Sequence, residues 1–259
     1  MWSVILLSVA VSLVLQILLW RHAVRVQNAG WVDFGWSAGM ALAGLVVLVS
    51  GEMHLRRVLV SLMVTAWGAR LAGHILFDRL LHQQEEDGRY QNLRRHWGDQ
   101  ADGKFFFFFT GQALLVGIFI LPAAIVASRV GPFPDLFDLM GLAIALLAVG
   151  GETLADRQLA AFRSDPTNKG RVCQHGFWKY SRHPNYFFEW VHWLSYTVMA
   201  VGAPLWALTL IGPVMMYLFL RYLTGIPHTE RQSLLSRGDA YRDYQQTTSV
   251  FFPWIPRKP

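Results

Sequence analysis

Charge is what this sequence has least of. Only 15% of its 259 residues are Asp, Glu, Lys or Arg, where a soluble domain carries roughly 25%, and that scarcity argues against a water-soluble globule. Cysteine is nearly absent too. Cys173 stands alone, which excludes an intrachain disulfide framework and a thiol cluster at metal-ligand spacing, leaving an inert thiol. No Gly/Ser-rich or Pro-rich linker interrupts the apolar sequence, so 1–259 reads as a single integral membrane domain. No zinc-finger or other nucleic-acid motif accompanies the basic residues, and the net charge of +6 suits membrane lipid headgroups better than nucleic acid. A Gly-x-Gly-x-x-Gly turn for a dinucleotide is missing as well.

What is present is apolar sequence: 53% hydrophobic residues and a mean hydropathy of +0.30. A helix needs roughly 20 apolar residues to cross the hydrocarbon core. Windows at 2–20, 33–50, 58–78, 105–128, 136–155, 186–202 and 204–221 meet that test, predicting an all-α polytopic protein with seven transmembrane helices. The last two are expected to form a hairpin around Gly202-Ala203-Pro204, since proline after glycine stops one helix and starts the next. The first window has no basic segment before it and no small-residue cleavage site, so it reads as retained helix rather than a signal peptide.

Lys and Arg set the orientation, because cytoplasmic loops are enriched in them. Of the 23, all but Arg56, Arg57, Arg129 and the intrahelical Arg70 fall on one side, in the segments after windows 1, 3, 5 and 7. The N-terminus is therefore expected outside and the C-terminus in the cytoplasm. Two cytoplasmic segments, 79–104 and 156–185, exceed what a connector requires, and long polar loops on such a scaffold carry function.

The second segment combines cations with planar hydrogen bonders. Lys169, Arg171 and Arg182 can neutralise phosphates; Asn185 and Glu189 can bond sugar or amide groups; Trp178, Tyr180 and Tyr186 can stack on a base. That is the chemistry of a nucleotide pocket. The competing interpretation, a basic loop on anionic lipid with interfacial aromatics, explains less well the acids Glu152, Asp156 and Glu189. Glu189 is expected in the first turn of the sixth helix, where the dipole favours a carboxylate. On the third helix Arg70, His74 and Asp78 recur every fourth residue as one polar stripe, expected to face the bundle interior or a wet cavity, with a structural ion pair as the alternative. Gly35 and Gly39 form a small-xxx-small pair for helix packing, and Phe105 to Phe109 read as interfacial anchors.

The string Gly176-Phe177-Trp178-Lys179-Tyr180-Ser181-Arg182-His183-Pro184-Asn185-Tyr186-Phe187-Phe188-Glu189 resembles the C-terminal signature of the steroid 5-alpha-reductase family. So does the ending with Tyr241, Asp243, Tyr244, Thr247-Thr248-Ser249 and Phe251-Phe252-Pro253. Glu152 and Asp156 occupy the place of that family's acidic helix, and Glu86-Asp87-Gly88-Arg89-Tyr90 resembles a loop of its bacterial branch. The resemblance spans 67–256 and is strongest over 150–190; relatives carry glycine where this chain has Phe188.

The resemblance implies a seven-helix membrane enzyme that uses NADPH to reduce the carbon-carbon double bond of an enone lipid, such as a 3-oxo-4-ene steroid entering from the bilayer. It implies cofactor contacts at Arg70, Asp78, Arg89, Asp156, Asn168, Lys169, Arg171, Tyr180, Ser181, Arg182, His183, Asn185, Tyr186, Glu189, Tyr241 and Tyr244. Such a reaction needs a group that polarises the carbonyl oxygen and a proton for the alpha carbon. The candidates are Asp33, a carboxyl that an apolar site can keep protonated, together with His74, Glu86 and Tyr90. Two other classes share parts of the pattern. Membrane methyltransferases of the isoprenylcysteine carboxyl methyltransferase kind carry a similar Arg-His-Pro-x-Tyr segment and take S-adenosylmethionine, and a non-catalytic lipid-binding protein needs only the apolar spans.

Overall fold

The computed structural model describes residues 1–82 and 85–257, among which there is no strand, only an isolated bridge between Ser181 and Ser249. The helices are α1 (Trp2–Val26), α2 (Trp31–Val49), α3 (Leu55–His74), α4 (Gly88–Trp97), α5 (Ala101–Ala127), α6 (Leu136–Ser164), α7 (Pro184–Met199), α8 (Ile211–Leu218), α9 (Ile226–Arg237) and α10 (Asp239–Thr247). Among the described residues six helical stretches are long and apolar enough to cross a membrane: 2–26, 31–49, 55–81, 88–127, 136–164 and 206–237. The expected sixth span corresponds to α7, whose 16 residues reach about 24 Å, short of a core of about 30 Å.

Several boundaries move for local reasons. α3 continues as a π-helix over Ile75–Leu81, so Asp78 leaves the α-helical register that the spacing assumed. The segment 79–104, expected as loop, holds α4, which starts where the Asp87 side chain accepts from the Arg89 amide. α6 runs on to Ser164, shortening the second loop. The last window does not begin at Pro204: a 3-10 stretch, Trp206–Leu210, precedes α8, with Pro213 in its first turn, where a missing amide costs nothing.

The chain forms two compact units, one of Met1–Asp138 with Ala200–Ile211 and one of Leu139–Met199 with Gly212–Pro259. In the first, helices close on glycine. A Cβ on Gly68 would lie 2.7 Å from the Ala41 amide nitrogen and 2.8 Å from the Ser37 carbonyl oxygen, so α3 rests directly on the α2 backbone. Gly35 and Gly39 make room for side chains of α1, Gln16 and Leu19 at the first and Ser12 at the second, which agrees with packing as their role. Phe105 and Phe109 are buried, with Tyr90 and Val32, rather than forming a lipid-facing anchor throughout; Phe107 alone of that run is largely exposed.

At the other end of this unit sits a buried charge network. The Arg56 guanidinium donates to both Asp138 carboxylate oxygens at 2.8 Å and to the Arg129 carbonyl at 2.9 Å, and Arg129 in turn bonds Asp135. The Arg129 contact holds the Asp135 carboxyl down at a pKa of about 2. Arg57 spans the ends of α2 and α5 by donating to the Val47, Ser50 and Ala127 carbonyls.

In the second unit α6 and α7 meet at Gly141, under Met199, and at Gly151, where a Cβ would run into the Phe188 ring. Phe188 therefore packs closely after all, the glycine lying on the facing helix. A cluster of Phe187, Trp190, Tyr217, Phe251 and Phe252 then ties α7 and α8 to the tail.

Gly68→Ala is expected to destabilise the protein by about 1–3 kcal/mol, because backbone cannot yield to the new methyl. Gly73→Ala, on the same helix with nothing within 4 Å, should leave the unfolding midpoint unchanged or raised. Thermal unfolding in detergent compares the two; equal loss in both would remove the close-approach argument.

Candidate functional site

Two polar clusters carry the candidate residues, one in each unit. In the first, α1 ends at Gln27 in the left-handed conformation, and Asn28 accepts from the Gly30 amide at 2.9 Å, which turns the chain into α2 and sets Asp33 in its first turn. The Tyr90 hydroxyl donates to Asp33 Oδ1 at 2.7 Å, and Arg89 Nη2 donates to Asp33 Oδ2 at 2.9 Å. Arg89 is itself held by Asp87 at 3.0 Å. Asp33 thus accepts from a guanidinium and from a phenol, and the one hydroxyl proton of Tyr90 is engaged in that contact. Beside Asp33 a cavity of about 90 Å³ opens between Asn28, Gly30, Arg79, Leu80, Glu85 and Asp87.

Glu86 has a different occupation. Its Oε1 accepts from the Ala29 amide at 2.8 Å and from Arg94 at 3.0 Å, anchoring α4 to the turn between α1 and α2. The α3 stripe is also redirected: His74 Nδ1 pairs with Asp78 Oδ2 at 2.6 Å, and both side chains are about half exposed (48% and 57%), so these two do not point into the bundle interior. Arg70, one turn earlier, is partly buried.

In the second unit the segment after α6 wraps back under its own tail. Trp178 Nε1 donates to the Ala155 carbonyl, and Gln158 accepts from the Phe177 amide, while Gly176, at φ +57°, lies directly against Gln158. The Ser181 hydroxyl donates to the Phe251 carbonyl at 2.9 Å, the Arg182 amide to Ser249 at 2.8 Å, and Tyr244 to the Trp178 and Ser181 carbonyls. Arg182 is fully engaged: it donates to Glu230 Oε1 at 2.6 Å and to the Gln245 and Thr248 carbonyls. His183 shares Glu230 at 3.3 Å and stacks on Tyr186 at 5.5 Å. Burial holds the His183 ring below its ordinary pKa of 6.5 although Glu230 opposes the shift. Burial likewise raises the Tyr244 and Tyr241 hydroxyls, the latter to about 12.

The structure thus divides the sequence-derived set. Ser181, Arg182, His183, Tyr241 and Tyr244 are buried or fully bonded and hold the loop, whereas Lys169, Arg171 and Tyr180 are exposed. Asn168 is tied to the Phe162 carbonyl at 3.1 Å, and Asn185 donates to Asp156 at 3.1 Å. α7 starts at Pro184, which puts Glu189 beyond the first turn and removes helix capping as its role. Sequence reasoning missed Glu230; its partner Arg182 lies 48 residues earlier, and no local spacing marks that pair.

A family model described as Protein of unknown function (DUF1295) matches residues 19–248. The chain belongs to the DUF1295 family. That family is associated with steroid 5-alpha-reductase-like proteins. No curated protein and no solved structure matches the chain. The match covers both polar clusters of this DUF1295 member, ending at Thr248, just short of the Phe251 anchor.

A histidine whose folded pKa is depressed contributes stability that is full above the unfolded value of 6.5 and is lost as pH falls through the lower folded value. The unfolding midpoint should therefore drop between about pH 7 and about pH 5, and His183→Gln should flatten part of that slope. An identical pH profile in the variant would show that other groups control it.

Proposed function

We propose that this DUF1295 protein is a membrane reductase that uses NADPH to saturate the carbon-carbon double bond of an enone lipid, with a 3-oxo-4-ene steroid as the substrate class. In the full proposal the chain crosses the bilayer seven times, α7 being a short tilted-neighbour span, with the N-terminus outside and the cationic segments in the cytoplasm of a bacterial inner membrane. The observation that carries the reading is the bond from the Tyr90 hydroxyl to Asp33, backed by Arg89. It brings a phenol, a carboxyl and a guanidinium together, the groups from which a ketone-polarising site can be built.

The residues fit the cofactor. Lys169 and Arg171 are exposed cations on a loop whose neighbours are already locked by internal bonds, and they suit a 2'-phosphate. Tyr180, 41% exposed, offers a ring face for a base. When bound, NADPH supplies a hydride. The single Tyr90 proton is donated to Asp33, so in this reading Tyr90 polarises the ketone oxygen once that hydroxyl turns from Asp33 to the substrate, while Arg89 keeps hold of the Asp33 carboxyl. Asn185, oriented by Asp156, and Glu189 are assigned in this reading to the polar edge of the cofactor. The steroid-like lipid reaches the protein through the bilayer.

Purified protein is tested with NADPH and a panel of 3-oxo-4-ene steroids and other enones, following cofactor oxidation. Arg171→Ala should weaken NADPH binding about tenfold, since a charge-assisted bond is worth about 1.5–3 kcal/mol, with the unfolding midpoint unchanged. Tyr90→Phe should cut turnover by about 10² or more while cofactor binding persists. Arg182→Ala, by contrast, should lower stability by several kcal/mol, as for a broken buried pair. Binding of S-adenosylmethionine in place of NADPH would decide for the methyltransferase class, and no binding of either for a lipid-binding protein.

A further inference from the structure

α1 carries a line of polar groups deep into the hydrocarbon. Ser8, Ser12 and Gln16 recur every fourth residue and are all buried, Ser12 and Gln16 at 0% exposure. Gln16 lies about 15 Å along the axis from the end of α1 at Val26, near the middle of a core about 30 Å thick. Ser8 is satisfied by its own helix, donating to the Val4 carbonyl at 2.8 Å. Ser12 Oγ and both amide atoms of Gln16 have no protein partner among the described residues.

These atoms aim at the two glycines of α2. A Cβ on Gly35 would fall 2.6 Å from Gln16 Oε1, and one on Gly39 would fall 2.7 Å from Ser12 Oγ. Close helix packing accounts for the glycines. It does not account for a glutamine, since leucine or methionine would fill the same space without burying polar atoms that cost about 1–3 kcal/mol each when unmet. An amide presents a donor and an acceptor side by side, and a nearby hydroxyl adds either. The partner that answers both must donate and accept through one small group. A ketone or ether only accepts, and an ammonium only donates; a hydroxyl does both.

We infer that the α1–α2 seam at Gln16, Ser12, Gly35 and Gly39 is a binding site for one hydroxyl group, supplied by the alcohol of an apolar lipid or by an ordered water. The inference stands on the packing of α1 against α2 and does not depend on NADPH chemistry.

Full-length protein in nanodiscs separates the sources. Thermal unfolding is followed with cholesterol, as a sterol alcohol, and with its 3-keto counterpart, for the wild type and for Gln16→Met. A midpoint raised by the alcohol only, with the shift lost in Gln16→Met, identifies a lipid hydroxyl. No shift, but density bridging Nε2 and Oε1 of Gln16 in an experimental map that resolves solvent, identifies water. Neither shift nor density, with Gln16→Met at least as stable as the wild type, overturns the site. Should Gln16→Met fail to accumulate in membranes, Ser12→Ala takes its place in the titration and the map is read on the wild type.

Discussion

Hydrocarbon offers no hydrogen bonds, so a chain that spans it must meet each of its own polar groups from within. Much of the architecture follows from that constraint. Arg56 enters the end of α3 at 2% exposure only because Asp138 and the Arg129 carbonyl surround its guanidinium. Arg57 closes the exposed carbonyl ends of α2 and α5, where the helix dipoles favour a cation. Arg56, Arg57 and Arg129, which stand apart from the other basic residues in sequence, are thus structural ties rather than members of a ligand-facing set.

The same rule sorts the loop between α6 and α7. Arginines there are chemically equivalent on paper, but Arg182 is drawn into Glu230 and two carbonyls, while Arg171 is tied through its backbone, its amide donating to the Asn168 carbonyl and its carbonyl accepting from Arg237. The first freezes the loop; the second stays exposed on it. Rigidity from one set of residues and accessibility of another is what a binding loop requires.

Membrane class, most helix positions and the clustering of polar residues were legible in the sequence because hydropathy and loop length report burial directly. Gly35 and Gly39 were readable as packing residues for the same reason. Other features were not local. The α3 stripe keeps its His74–Asp78 pair but carries it half exposed rather than inward, and the start of α7 at Pro184 moved Glu189 out of the first turn. Phe188 was legible only with Gly151 in view. Glu86, with charge and spacing suited to catalysis, is occupied by the Ala29 amide and Arg94, a pairing across 57 residues that no motif announces.

The bond from Ser181 to the Phe251 carbonyl joins residues 70 apart, and this has a consequence for biogenesis. Synthesis proceeds from the N-terminus, so the segment that holds Lys169, Arg171 and Tyr180 leaves the ribosome well before the strap that fastens it. Until 230–251 is translated, Arg182 lacks Glu230, Gln245 and Thr248, and Ser181 lacks the Phe251 carbonyl. A nascent protein would thus place its apolar helices before it can fasten this loop, so that membrane insertion and the closing of the loop are separate events.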